Sequence, residues 1–239
     1  MPKSALTYAW TVIAIGAAIF IRAALEWQSA NAVAFGLCLA LALFASTLKL
    51  QVAGLTQTLS PGFVFLLISV ATLSWSETVA IAVASGLTQI LWRPSRTPSR
   101  LQICFAVGTM AICGSLTHGV TWGLVAMQGG YDMTVIMAIA GVVLLVTNTL
   151  IVATILCLIK EAPFHIIWRS VQSRAVPYYF AGGVLANVCV QARLTSAAGI
   201  ALLAAISVYL LSTCLRELDA ALWRPQAVTA APSPEYRGK

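Results

Sequence analysis

Apolar residues run through this chain in long unbroken stretches rather than in the one-in, one-out alternation of half-buried strands. Eight runs stand out, at 5–21, 31–48, 61–75, 78–92, 101–127, 133–159, 175–192 and 194–213. Continuous runs of roughly 17–25 apolar residues suit helices that cross a ~30 Å hydrocarbon layer, whereas barrel strands would show a period of two. The pattern therefore predicts an all-α, polytopic integral membrane protein with about eight transmembrane helices. The third and fourth runs hold only 15 residues each and fall below that length. After 213, Leu215, Leu218 and Leu222 repeat at helical spacing among Arg216, Glu217 and Asp219, which predicts a juxtamembrane helix over 214–224. Pro225 stops it, and the Pro-, Ala- and Ser-rich residues 225–239 read as a disordered tail. The chain thus divides into a transmembrane domain (1–213), the juxtamembrane helix and the tail.

Composition narrows the class further. Sixty per cent of the 239 residues are hydrophobic and 9% are charged, against a charged share of about 25% in soluble domains. The mean hydropathy is +0.91. Such a chain cannot cover a soluble surface, which excludes a cytosolic globular enzyme and a secreted disulfide scaffold. The net charge of +7 comes from basic residues scattered between apolar runs. No basic face suits a nucleic acid, and none is expected as a partner. Those residues instead orient the chain. With the amino terminus inside, Lys3, Lys49, Arg93, Arg96, Arg100, Lys160, Arg169, Arg174, Arg216, Arg224, Arg237 and Lys239 face the cytoplasm, and only Arg22 and Arg193 face out. This obeys the positive-inside bias and places both termini in the cytoplasm. Trp10, Trp92, Trp168 and Trp223 fall near the inner surface and Trp27, Trp75 and Trp122 near the outer, as in aromatic belts. Arg22-Ala23-Ala24 makes a poor leader-cleavage site, so the first run reads as a retained span.

Few residues carry chemistry. The six cysteines form no C-x-x-C and lie within or at the end of apolar runs, where a thiol behaves as a small apolar group. The carboxylates Glu26, Glu77, Asp132, Glu161, Glu217, Asp219 and Glu235 all fall at loops or run ends. No hydrolase, zinc-protease or P-loop motif is present, and no enzyme activity, metal or cofactor is expected. His118 stands well inside a span between Thr117 and Thr121. It is either a ligand contact or pH-sensitive group, or a neutral histidine hydrogen-bonded to a neighbouring helix. Asn148, between Thr147 and Thr149, lines a polar cavity or clasps two helices. Ser60-Pro61-Gly62-Phe63 opens the third span as a helix start, or offers free N–H groups to a ligand. Pro177-Tyr178-Tyr179 opens the seventh, its tyrosines serving a belt or a ligand wall. Gln89, Asn187 and Gln191 are weaker polar positions near span ends. The candidate ligand-binding set is Ser60, Phe63, His118, Asn148, Tyr178 and Tyr179. Three small-x-x-x-small pairs, Gly119/Gly123, Ala82/Gly86 and Gly182/Ala186, predict close helix packing.

Several stretches together resemble a known arrangement. These are Ser60-Pro-Gly-Phe-Val-Phe-Leu-Leu, Glu77 at the fourth run, Gln89-x-x-Trp-Arg93 with its Pro/Arg loop, Asn148-Thr-Leu-Ile-Val-Ala153 and Pro177-Tyr-Tyr-Phe-Ala-Gly182. Over roughly residues 30–220 the chain resembles the amino-terminal multi-helix membrane region ahead of GGDEF or HD-GYP output domains in acidobacterial-type bacterial proteins. The resemblance implies a sensory or regulatory module of the bacterial inner membrane, carboxyl end inside, relaying to a cytoplasmic partner. The chain departs from that arrangement in carrying no output domain after residue 224, and in Pro61. Signalling would therefore pass through another protein. A small-molecule transporter or its membrane substrate-binding subunit, and a structural subunit of a membrane complex, are the alternatives.

Overall fold

The computed structural model describes residues 1–29, 31–48, 50–51, 58–94, 97–128 and 132–191. Seven helices follow one another: α1 (Lys3–Leu25), α2 (Ala32–Thr47), α3 (Gly62–Thr72), α4 (Trp75–Leu91), α5 (Arg100–Gln128), α6 (Met133–Lys160) and α7 (Phe164–Gln191). Between α2 and α3 lies a two-residue antiparallel ladder, β1 (Leu50–Gln51) on β2 (Thr58–Leu59), in register Leu50↔Leu59. The expected eighth span, juxtamembrane helix and tail lie outside the described residues.

Local chemistry sets the helix starts. Asn31 accepts from the Ala34 N–H and Asp132 from the Thr134 N–H, capping α2 and α6. Ser99 and Gln102 exchange bonds ahead of α5, and Ser74 and Glu77 form a full capping box on α4. Glu161, in the left-handed region at φ 51°, ends α6.

α1, α5 and α6 are long and apolar enough to cross a membrane, and the protein reads as a membrane protein on that ground. Their outer faces carry bare Trp10, Ile15, Val120, Val135 and Val142, surface that water would not tolerate in such extent. The helices alternate in direction. Tyr8 of α1 donates to the Ile151 carbonyl of α6 and packs on Phe105 of α5. Gly16 meets the Gly108 backbone so closely that neither position accepts a side chain, which holds α1 and α5 parallel and in contact. Ala82 sits on Gly114 and Gly86 on Met110, setting α4 antiparallel to α5. At the end of the bundle holding Glu26, Gln191 donates to Thr134 Oγ1 at 2.6 Å and joins α7 antiparallel to α6.

Two of the eight sequence runs are corrected. The third is a helix of 11 residues, about 16 Å long, half of what a ~30 Å hydrocarbon layer requires. It is apolar on every side because it is enclosed on every side: all nine residues from Gly62 to Val70 are buried, against α2, α4, α5, α6 and α7. The seventh run is the outer part of a longer helix. α7 begins at Phe164, so the segment of Trp168 and Arg169, expected in a loop, is helical and Pro177 lies mid-helix rather than in a first turn. Proline is tolerated there because neighbouring helices in a membrane protein can satisfy the carbonyl it leaves unpaired.

Candidate functional site

A helix that stops inside a bundle leaves its last carbonyls without intrahelical partners, and lipid supplies none. α3 meets this at the Glu26 end of the bundle with side chains from two neighbours. Trp122 Nε1 of α5 donates to the Val70 carbonyl at 2.9 Å, and Thr78 Oγ1 of α4 donates at 3.1 Å to the Ser69 carbonyl, which also accepts from the Leu73 N–H. His118 Nε2 stands 3.4 Å from the Leu73 carbonyl, a longer contact that it makes as a donor in its Nε2–H tautomer. Its ring also lies 6.0 Å from that of Trp122. His118 is half-buried and stands against the carbonyl that follows a neighbouring helix.

The other five candidate residues gather at the opposite end of α3. Ser60 Oγ donates to the Ala45 carbonyl of α2 at 3.2 Å and accepts from the Gly62 N–H at 3.3 Å, so it serves as a helix start. Phe63 lies between the two tyrosines of α7, with ring centroids 4.8 Å from Tyr178 and 4.6 Å from Tyr179. Its ring tip presses on Gly182, where a Cβ would overlap it. Asn148 Nδ2 of α6 donates to Tyr179 Oη at 3.1 Å, an interhelical clasp. Tyr178 is buried, and its hydroxyl finds no partner among the described residues. Ten residues separate Phe63 from Leu73, about 15 Å along the helix. His118 therefore does not share a site with the other five.

Sequence reasoning passed over Glu77, which sits at a helix end and is nevertheless 1% exposed. Its Oε2 accepts from the Ser74 N–H and lies 3.0 Å from Ser74 Oγ, while Ser29 Oγ donates to Oε1 at 2.6 Å. Ser74 also donates to the Gln28 carbonyl and Ser76 to the Glu26 carbonyl. The first turn of α4 thus pins the α1–α2 connection. The spacing Ser74-x-x-Glu77, a capping-box signature, was the signal that could have marked it.

Among the weaker positions, Asn187 and Gln191 both reach Thr134 and each other. Cys38, Cys113 and Cys189 are buried as expected, whereas Cys104 is exposed on the outside of α5. Ala82/Gly86 and Gly182/Ala186 are packed, but Gly119 and Gly123 face open space. Chemically, the Phe63 junction is an aromatic contact with one amide and two phenols.

No protein-family model matches the chain, and comparison with curated proteins and with solved structures gives no match.

Proposed function

We propose that this chain is a non-enzymatic regulatory module of a bacterial inner membrane, in which the short central helix α3 is the responsive element and α7 carries its displacement onward. One observation carries the reading: Phe63 of α3 is wedged between Tyr178 and Tyr179 against Gly182 of α7, with Asn148 of α6 holding Tyr179. A helix of half the hydrocarbon thickness does not span the layer by itself, so a small amphipathic ligand or a change in bilayer thickness would act on it through the helices that enclose it. Displacement of Phe63 would be felt directly at α7, because well-packed interfaces switch between discrete arrangements rather than deform continuously. In this reading the amino terminus is cytoplasmic and 194–213 crosses back to the cytoplasmic side. The relay then reaches a cytoplasmic partner through 214–224, as the sequence resemblance implies.

The test is thermal melting of the full chain in lipid nanodiscs against a library of small amphipathic compounds. At least one compound is expected to raise the melting temperature of the wild type, and N148A is expected to abolish that shift. A library that moves nothing overturns the ligand-responsive reading.

A second reading, a transporter or its membrane substrate-binding subunit, draws on one specific feature. A buried half-helix with a phenol beside its amino end, at Tyr178, that has no partner among the described residues is the kind of discontinuity at which transporters bind solutes. Solute counterflow into proteoliposomes containing the purified chain supports it, and no counterflow by a correctly inserted chain favours the regulatory reading.

A further inference from the structure

A cleft of about 490 Å³ lies on the described residues, within the ~300–1,000 Å³ of small-molecule sites. It opens toward lipid between α1, α4 and α5 and is lined by Arg22, Trp75, Ser115, Leu116, Gly119 and Val120. Its wall on α5 is apolar, and its floor is Gly119, beside which no atom lies within 4 Å of where a Cβ would stand. At the mouth the chemistry changes. Arg22 projects from the last turn of α1 with its guanidinium 5.5 Å from the centre of the Trp75 ring. Its Nε donates to Glu26 Oε1 at 3.0 Å, and both side chains are exposed, at 70% and 54%. This pairing leaves the guanidinium's two Nη groups and the second oxygen of Glu26 without a partner among the described residues. Ser115 is occupied by the Trp75 indole at 3.1 Å. Tryptophan marks headgroup depth in membrane proteins, and Trp27, Trp75 and Trp122 all lie toward this end of the bundle.

From this juxtaposition we infer that the cleft is a binding site for a zwitterionic aminophospholipid. The lipid's phosphate accepts from the free Nη groups of Arg22, its ammonium meets Glu26, and an acyl chain lies over Gly119 against Leu116 and Val120. An opposed cation and anion at one mouth match a headgroup carrying both charges. An anionic lipid would satisfy Arg22 and be repelled by Glu26. A neutral diacylglycerol would fill the groove and leave both ions uncompensated. The inference rests on membrane embedding alone and is independent of the regulatory reading.

Native mass spectrometry of the full chain, released from nanodiscs holding equal phosphatidylethanolamine and phosphatidylglycerol of identical acyl chains, tests it. The wild type is expected to retain phosphatidylethanolamine several-fold over phosphatidylglycerol. E26Q is expected to bring that ratio to about one, and R22Q to lower retention of both about tenfold, as loss of a charge-assisted contact does. G119L and, separately, L116W fill the groove and are expected to expel both lipids while melting as the wild type does. Equal retention of the two lipids by the wild type overturns the headgroup assignment. Retention unchanged in both groove-filling variants overturns the location.

Discussion

At the scale of single residues, the polar side chains inside this bundle are best understood by what α3 lacks. Interhelical hydrogen bonds within membranes are worth about 0.6 kcal/mol on average and at most about 1.7, because the unfolded chain in lipid also finds partners. Trp122, at 2.9 Å from a carbonyl with no other partner among the described residues, belongs near the upper figure, and His118, at 3.4 Å, near or below the lower. Trp122→Phe, which keeps the ring and removes the donor, is expected to cost about 1–2 kcal/mol in a detergent unfolding titration. His118→Ala is expected to cost less, and His118→Gln, which keeps a donor, to recover part of it. A larger loss for His118→Ala than for Trp122→Phe would mean that the histidine does more than cap. The sequence marked His118 as a polar group inside a span but could not say whose carbonyl it serves. That depends on where α3 stops, a property of a segment 45 residues away.

At the scale of elements, length was the legible signal and burial was not. The 15-residue runs announced that something was short, yet a buried half-helix and a tilted short span present the same apolar letters. Helix starts with side-chain caps carry a local motif, and the one at Ser74-x-x-Glu77 went unread although its spacing is a capping box. The start of α7 was not legible, because His165, Trp168, Arg169 and Pro177 interrupt the apolar pattern while the backbone remains helical from Phe164. Five of the six candidate residues did converge, since Ser60 and Phe63 share a turn and Tyr178 and Tyr179 are adjacent. Their meeting with Asn148 is tertiary and had no sequence signature. The α4 start gives the element's own test. Ser74→Ala removes a cap and a bond to the Gln28 carbonyl, for about 1–2 kcal/mol. Glu77→Ala leaves the Ser74 N–H and the Ser29 hydroxyl without their acceptor at a part-buried helix start and also removes the carboxylate half of the capping box, at up to about 1–3 kcal/mol per group left without a partner. Glu77→Ala is therefore expected to be the more damaging of the two, and also to open the α1–α2 connection to protease. Equal protection of residues 26–29 in both variants would show that the connection is held by something else.

At the scale of the whole molecule, charge and direction agree. Lys3, Arg93, Arg100, Lys160 and Arg169 stand at or near one end of the alternating helices, and Arg22 with Glu26, Glu77 and Asp132 toward the other. This segregation is what the basic residues implied before any helix was placed, and it survives the shortening of α3 because a half-length helix still enters and leaves with the same sense. The positive-inside bias then predicts the compartments. Alkaline phosphatase, active only outside the cytoplasm, is expected to be active when fused after Gln128 and inactive when fused after Glu161; green fluorescent protein is expected to give the reverse. Fusion after Lys239 asks a separate question, because α7 ends on the Gln128 side and only a further crossing by 194–213 brings the chain back. An inactive phosphatase there, with the first two fusions as expected, supports eight elements and a cytoplasmic relay. An active one leaves the described helices as they are but puts the carboxyl end outside, where α7 could move no cytoplasmic partner.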